Sequence, residues 1–183
     1  MNKRVFQENI THKELVELGR GWLIKPYAAM ADYGHSGCGI VITEISTAIA
    51  EQPDVIGFSG KTSILIECKA SRADFNADKD KPFRMVPETG IGSQRWYMAP
   101  QGVISVENVP PRWGLLEVTP ERKIRTTKKA EPQEHNQGNE ILVLISLLRR
   151  LNIQPYGNVA IKKYVIESGK NRATFFINME EPK

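Results

Sequence analysis

Two acids and a lysine stand at a spacing that can do chemistry. Asp54 follows Pro53, twelve residues separate it from Glu67, and Glu67 opens the run Glu67-Cys68-Lys69. Apolar, β-branched segments run from Asp54 to Phe58 and from Ser63 to Ala70, with Gly57-Phe58-Ser59-Gly60-Lys61 as turn chemistry between them, so they read as a hairpin. In an antiparallel pair the start of one strand lies beside the end of the next, which brings Asp54 to Glu67. Strand alternation puts Glu67 and Lys69 on one face and turns the Cys68 side chain into apolar packing. Its backbone carbonyl stays near the two carboxylates. Two carboxylates and a carbonyl form an all-oxygen site suited to Mg2+ or Mn2+. With a lysine alongside, that set can hydrolyse a phosphodiester. The metal polarises the phosphoryl oxygen and activates water, while Lys69 orients or deprotonates that water or neutralises developing charge. The competing reading is two buried-edge acids and a lysine in a structural ion pair.

The flanking elements must hold these groups. Thr11-His12-Lys13-Glu14 is a capping-box pattern, and Leu15, Leu18 and Trp22 follow at helical spacing, so a helix is expected over about 12–23. Residues 25–39 read as loop, and a strand follows within Gly39 to Thr47. A polar helix is expected from Arg72 to Lys79, with Pro82 ending it. A strand follows at Arg95 to Ala99, then a second hairpin from Trp113 to Val118 and Lys123 to Thr127. Residues 128–139 read as a polar linker, Glu140 to Leu151 as a helix apolar nearly all round, and Val159 to Met179 as two strands around Ser168-Gly169-Lys170-Asn171.

With 183 residues, 40% hydrophobic and 25% charged, the chain fits an ordinary globular protein and excludes a collagen, a disordered chain or a disulfide miniprotein. No apolar run approaches a membrane span, no signal peptide is read, and Cys38 and Cys68 are expected as thiols in a reducing, cytoplasmic compartment. The Gly57–Thr62 stretch lacks the first glycine of a phosphate-binding loop, because that position is Val55, and strand-like sequence follows it. His35 and Cys38 have no second pair to complete a zinc site. The three histidines stand in polar surroundings and read as ordinary surface or loop residues.

Pro53-Asp54 with Glu67-Cys68-Lys69 on an apolar strand resembles the PD-(D/E)XK nuclease signature. The extension Ser71-Arg72-Ala73-Asp74-Phe75, with Asp78 and Lys81 after it, is similar to the MmcB-like branch associated with DNA repair and phage genomes. The resemblance covers about residues 12–127. It implies an α/β (α+β) fold with a restriction-endonuclease-like αβββαβ core, a mixed sheet flanked by helices. Over residues 1–130 this core would carry the site, and residues 131–183 would add a C-terminal helix and β-hairpin. By the same resemblance Asp54 and Glu67 are the metal-binding acids and Lys69 the catalytic lysine, with Mg2+ or Mn2+ as cofactor. A further acid from the first helix is implied, with Glu14 placed first and Glu17 beside it, and Glu44, in the strand before the motif, is another candidate. Glu14 also has a competing role as the capping-box partner.

The positive charge is local. Residues 61–130 carry 13 Lys and Arg against 8 Asp and Glu, whereas residues 1–60 carry 5 against 7. Arg122, Lys123, Arg125, Lys128 and Lys129 are expected to line a phosphate-contacting edge, with Arg72 beside the site and Lys79, Lys81 and Arg84 next in line. The alternative for the edge is a solvated strand protected from aggregation. Trp96 and Tyr97 read as sheet packing ahead of base-stacking platforms. The expectation is a metal-dependent DNA endonuclease or nickase. Its alternatives are an inactive nuclease-fold module that binds DNA or a partner, and an interaction protein that docks through helix 140–151, which is also a homodimer candidate.

Overall fold

A computed structural model describes residues 9–25, 37–47, 49–60 and 62–151, with the backbone of two later strands. The loop before Gly37, including His35, and the turn at Ser168–Asn171 lie outside the described residues. Helix α1 (His12–Ile24) is followed by β1 (Ile40–Thr43), β2 (Val55–Phe58) and β3 (Ser63–Cys68). Helices α2 (Arg72–Asp78) and α3 (Pro82–Met85) lead to β4 (Gln94–Pro100), β5 (Gly114–Val118) and β6 (Ile124–Lys128). The order αβββαβ is therefore present, with β5 and β6 extending the sheet. All six strands form one mixed sheet in sequence order: β1, β2 and β3 antiparallel, β3, β4 and β5 parallel, and β6 antiparallel to β5.

Side-chain alternation divides the sheet's contents. Val55, Ile64, Ile66, Cys68, Trp96, Met98, Leu116 and Val118 join Leu15, Val16, Trp22 and Leu23 of α1 in one apolar cluster. Gly19 lets α1 approach the side chains of Val55 and Ile66. Trp22 meets Trp96 edge to face at 5.3 Å, a geometry that adds roughly 0.5–1.5 kcal/mol beyond the area buried. Gly114 is needed beside this pair, because a Cβ there would overlap the Trp96 ring. On the other face Tyr97 stacks on Trp113 and takes Phe75 of α2 edge-on. Trp96 and Tyr97 are fully buried, so their role is packing rather than an exposed stacking platform.

Two expectations about connections are corrected. Pro82 does not merely end the preceding helix; it opens α3, where its missing N–H leaves no bond unmade. Residues 128–139 are not a free linker. Glu131 N donates to Arg112 O, Gln133 N to Ser93 O and Asn136 N to Gly90 O, and Arg95 donates to Glu134 O. Those bonds tie the polar stretch to the core. Helix α4 (Gln137–Arg150) follows. Its buried Glu140 accepts from Ser63 Oγ at 2.7 Å and Gly92 N at 2.8 Å.

The chain divides into two compact units, Met1–Val143 and Leu144–Lys183. The first of these units includes residues 131–143. In the second, β7 (Val159–Val165) and β8 (Thr174–Met179) pair antiparallel, with an irregularity between Ile161 and Tyr164. No helix among the described residues is long and apolar enough to cross a membrane.

Candidate active site

The β2–β3 ladder pairs Val55 with Ile66 and Ile56 with Leu65. One step further along that register sets Asp54 opposite Glu67. Asp54 Oδ2 accepts the Cys68 backbone N–H at 2.8 Å, which binds the carboxylate to the end of β3. Asp54 Oδ1 lies 3.5 Å from His12 Nε2, at the first turn of α1. Burial raises the Asp54 pKa, against the Cys68 hydrogen bond foremost and the nearby Lys69 ammonium. Cys68 itself belongs to the apolar cluster, and burial pushes its thiol well up, so the side chain offers no thiolate.

Glu67 and Lys69 share a face, as alternation requires, and Lys69 Nζ donates to Glu67 Oε2 at 3.2 Å. Both side chains are buried. Glu67 Oε1 lies 2.9 Å from Arg84 Nη2. That contact lacks hydrogen-bond geometry, which leaves Oε1 a buried oxygen with no hydrogen bond. Burial pushes Glu67 up to about 7. Arg84 and Lys69 pull the other way, and Asp54 and Asp78 add to the rise. Burial alone would lower Lys69, but the carboxylates of Glu67, Asp78 and Asp54 outweigh it and raise its pKa.

Asp78, at the end of α2, gathers the rest. Its Oδ1 lies 3.3 Å from Lys69 Nζ and 2.7 Å from Lys81 Nζ. Its Oδ2 accepts from Arg84 Nε at 2.9 Å and from the Tyr97 hydroxyl at 3.2 Å. Burial opposes the ionised form, but Arg84, Lys69 and Lys81 prevail and hold this carboxyl well below the usual carboxylate range. Arg84 also pairs with Glu51, whose second oxygen accepts the Ile91 N–H at 2.6 Å. Glu51, Glu67 and Asp78 therefore surround one guanidinium whose side chain is 1% exposed.

The spacing reading brings together Asp54, Glu67, Lys69 and the Cys68 backbone. It missed Asp78, Arg84, Glu51 and Tyr97 as parts of the same cluster. The i, i+3 steps from Asp78 to Lys81 and from Lys81 to Arg84 were the available signal. Arg84 cannot be the reserve DNA contact expected of it, because it is buried on three acids. Glu14 does not join the cluster through any contact with Asp54. Its side chain accepts from the Thr11 backbone N–H at 2.8 Å, completing the capping box, and pairs with Arg122 at 3.2 Å. These bonds lower its pKa, the Thr11 backbone bond foremost. The α1 side chain that reaches Asp54 is His12. Glu17 pairs with Arg20 on the surface. Glu44 is exposed, at the left-handed turn (φ 46°) that ends β1.

The basic residues fall into two groups. Because β3, β4 and β5 run parallel, the β5–β6 turn lies at the same end of the sheet as Lys69. Lys123 is exposed at that turn and Arg125 along β6, whereas Lys129, also exposed, follows β6 at the opposite end of the sheet. Lys128 donates to Val109 O and Pro110 O at 3.2 and 2.9 Å, so it is held by the protein itself. Arg72 is exposed beside the α2 N-terminus, where Ser71 caps Asp74 N, and reaches Ser105 Oγ at 3.4 Å.

Among the described residues, no three His, Cys, Asp or Glu side chains stand close enough to hold a metal by themselves. Mg2+ commonly takes one or two carboxylates and completes its shell with carbonyls or water, and an Asp54–Glu67–Cys68 carbonyl set is of that kind.

No family model matches the chain, and no curated protein matches it. A solved structure of a protein of unknown function from Silicibacter pomeroyi is similar to it. The identity is 24% over 74% of this chain and 86% of that one, with a TM-score of 0.49.

Proposed function

We propose that this chain is a metal-dependent DNA endonuclease or nickase of the PD-(D/E)XK type. The observation that carries the reading is the arrival of Asp54, Glu67 and Lys69 at one end of the β2–β3 pair, within an αβββαβ order. Asp54, Glu67 and the Cys68 carbonyl would hold Mg2+ or Mn2+. The donor set is of the kind such an ion takes, because both side-chain donors are hard carboxylate oxygens, although Glu67 Oε1 is already ion-paired with Arg84 at 2.9 Å. When bound, the ion polarises the scissile phosphate and activates a water.

The chain's own residues set the rest. Lys69 keeps its proton, because three acids raise its pKa, so it neutralises phosphoryl charge and orients the attacking water rather than removing a proton from it. Asp78 is the second carboxylate on that ammonium, at 3.3 Å, and helps to hold it in place. Lys123, Arg125 and Lys129 supply the backbone-contacting surface, with Arg72 nearer the site.

The test is purified protein with supercoiled and branched DNA in Mg2+, Mn2+ or EDTA. Cleavage is expected with either metal and none with the chelator. Asp54→Asn should weaken metal binding and lower cleavage at least a hundredfold with the fold intact, and wild-type metal affinity in that variant rejects the assignment.

A second reading has its own observation. Glu67 is already faced by Arg84 and Lys69, so the cluster balances its charge without any ion. This favours a nuclease-fold module that binds DNA and cleaves nothing. DNA binding without metal-dependent turnover in the same assay selects it.

A further inference from the structure

The carboxylates around Glu67 each meet a cation before any ion is added, a balanced set of ion pairs. Glu51, Glu67 and Asp78 face the buried Arg84 and Lys69 and the half-exposed Lys81. Arg84 alone touches all three acids. Many phosphodiester-cleaving sites hold a second divalent ion, and converging carboxylates are the oxygen donors such an ion takes. Here a guanidinium fills that place, and its planar fork of donors holds the carboxylates apart. That spacing accounts for the lack of any three acids close enough to hold a metal among the described residues. An arginine keeps its charge at every working pH, so the place stays filled. Its side chain is 1% exposed, so no ion can replace it without moving a buried group. Asp54 lies outside this balanced set, at the His12 side.

We propose that Arg84 is a built-in substitute for a second metal ion, so that the site takes one divalent cation, at Asp54 and Glu67. This rests on the metal-site reading above and adds the stoichiometry. Arg84 touches neither substrate nor ion directly; it acts through Glu67 and Asp78 as a positioning residue.

The test is a Mn2+ titration of the full chain, followed by the EPR signal of the free ion. The wild type should bind one Mn2+. Arg84→Gln removes the charge and should raise the number bound to two, the three acids closing on the second ion. Arg84→Lys keeps a charge and should stay at one. If Arg84→Gln does not fold, as judged by circular dichroism, Arg84→Met, which keeps an unbranched side chain of similar reach, removes the charge with all three acids in place and should also bind two. Two ions in the wild type overturn the inference and leave the nuclease reading standing. One ion in every folded Arg84 variant overturns it as well, since Arg84 is then a structural ion pair only. No Mn2+ bound by the wild type rejects the metal site and this inference together. One ion in the wild type and two in Arg84→Gln, with no cleavage of any DNA, uphold it while the nuclease reading falls.

Discussion

Glu67 and Asp78 lie in one cluster, touch the same arginine, and shift in opposite directions. Asp78 is 3.2 Å from a tyrosine hydroxyl and takes three cations, so its charged form wins. Its stabilising contribution is present above the ordinary aspartate value and is lost as pH falls below it. Glu67 is raised from 4.5 to about 7, chiefly by burial. Between those values the folded chain binds more protons at Glu67 than the unfolded chain, so this contribution is full at the lower pH and disappears as pH rises through about 7. Glu67→Gln removes the titration. In metal-free buffer its stability should vary less than the wild type's between pH 5 and 7, by on the order of 1–3 kcal/mol. Urea unfolding at several pH values measures this, and parallel pH profiles for the two proteins would reject the shift.

The first helix is placed by its own N-terminus. Thr11 accepts the Glu14 N–H at 3.2 Å, and Glu14 reaches back to the Thr11 N–H at 2.8 Å. That reciprocal cap fixes where α1 begins, and the first helical residue, His12, falls beside Asp54. Thr11→Ala should cost about 1 kcal/mol, read as a lowered thermal midpoint. Arg122→Ala, which removes the tie from Glu14 to the β5–β6 turn, should cost under about 1 kcal/mol, because both partners are partly exposed. At the other end of the unit, Glu140 anchors α4 to Ser63 and Gly92, while Ile141, Leu142 and Leu148 of that helix are exposed. Self-association through α4 would place those residues in a dimer at micromolar concentration, and a strict monomer by light scattering rejects it.

Across the whole sheet, strand spacing separates the chemistry from the basic edge. β3 and β6 are three strands apart, roughly 14 Å. That distance suits a nucleic-acid backbone lying across the end of the sheet, with its phosphates met at Lys123 and Arg125 while the scissile bond lies over Lys69, and Lys129, beyond the far end of β6, meets the flanking duplex. Changing those three residues together to Ala should weaken binding of all DNA sequences alike. The slope of log affinity against log salt should flatten by about 2–3, near 0.9 for each phosphate that is no longer neutralised. Adding Lys128→Ala should change the slope no further, because that ammonium is already bound to two carbonyls. An unchanged slope in the triple variant moves the DNA to another face, with Lys79 and Lys81 as the next surface to test.

Local rules were enough for much of this molecule. The Thr11–Glu14 cap, the alternation of the site strand, the turn residues after Phe58 and the Asp54–Glu67 spacing each depend on neighbours a few residues away. They specified α1, the β2–β3 pair and the side-by-side placement of Glu67 and Lys69. The αβββαβ order and the mixed sheet were what the motif resemblance implied, and the fold has both. Contacts between residues far apart in sequence could not be read that way. Arg84 looked like one more surface cation; only the packing of α3 against β3 and the Glu51 loop buries it on three acids. Lys128 looked like a free lysine until Val109 and Pro110 came within reach of its ammonium. His12 had no visible partner until α1 was laid against the end of β2. Periodicity and capping act along the chain. The choice of which charges meet in a low-dielectric interior depends on the burial of distant segments against one another, and only the tertiary structure decided that.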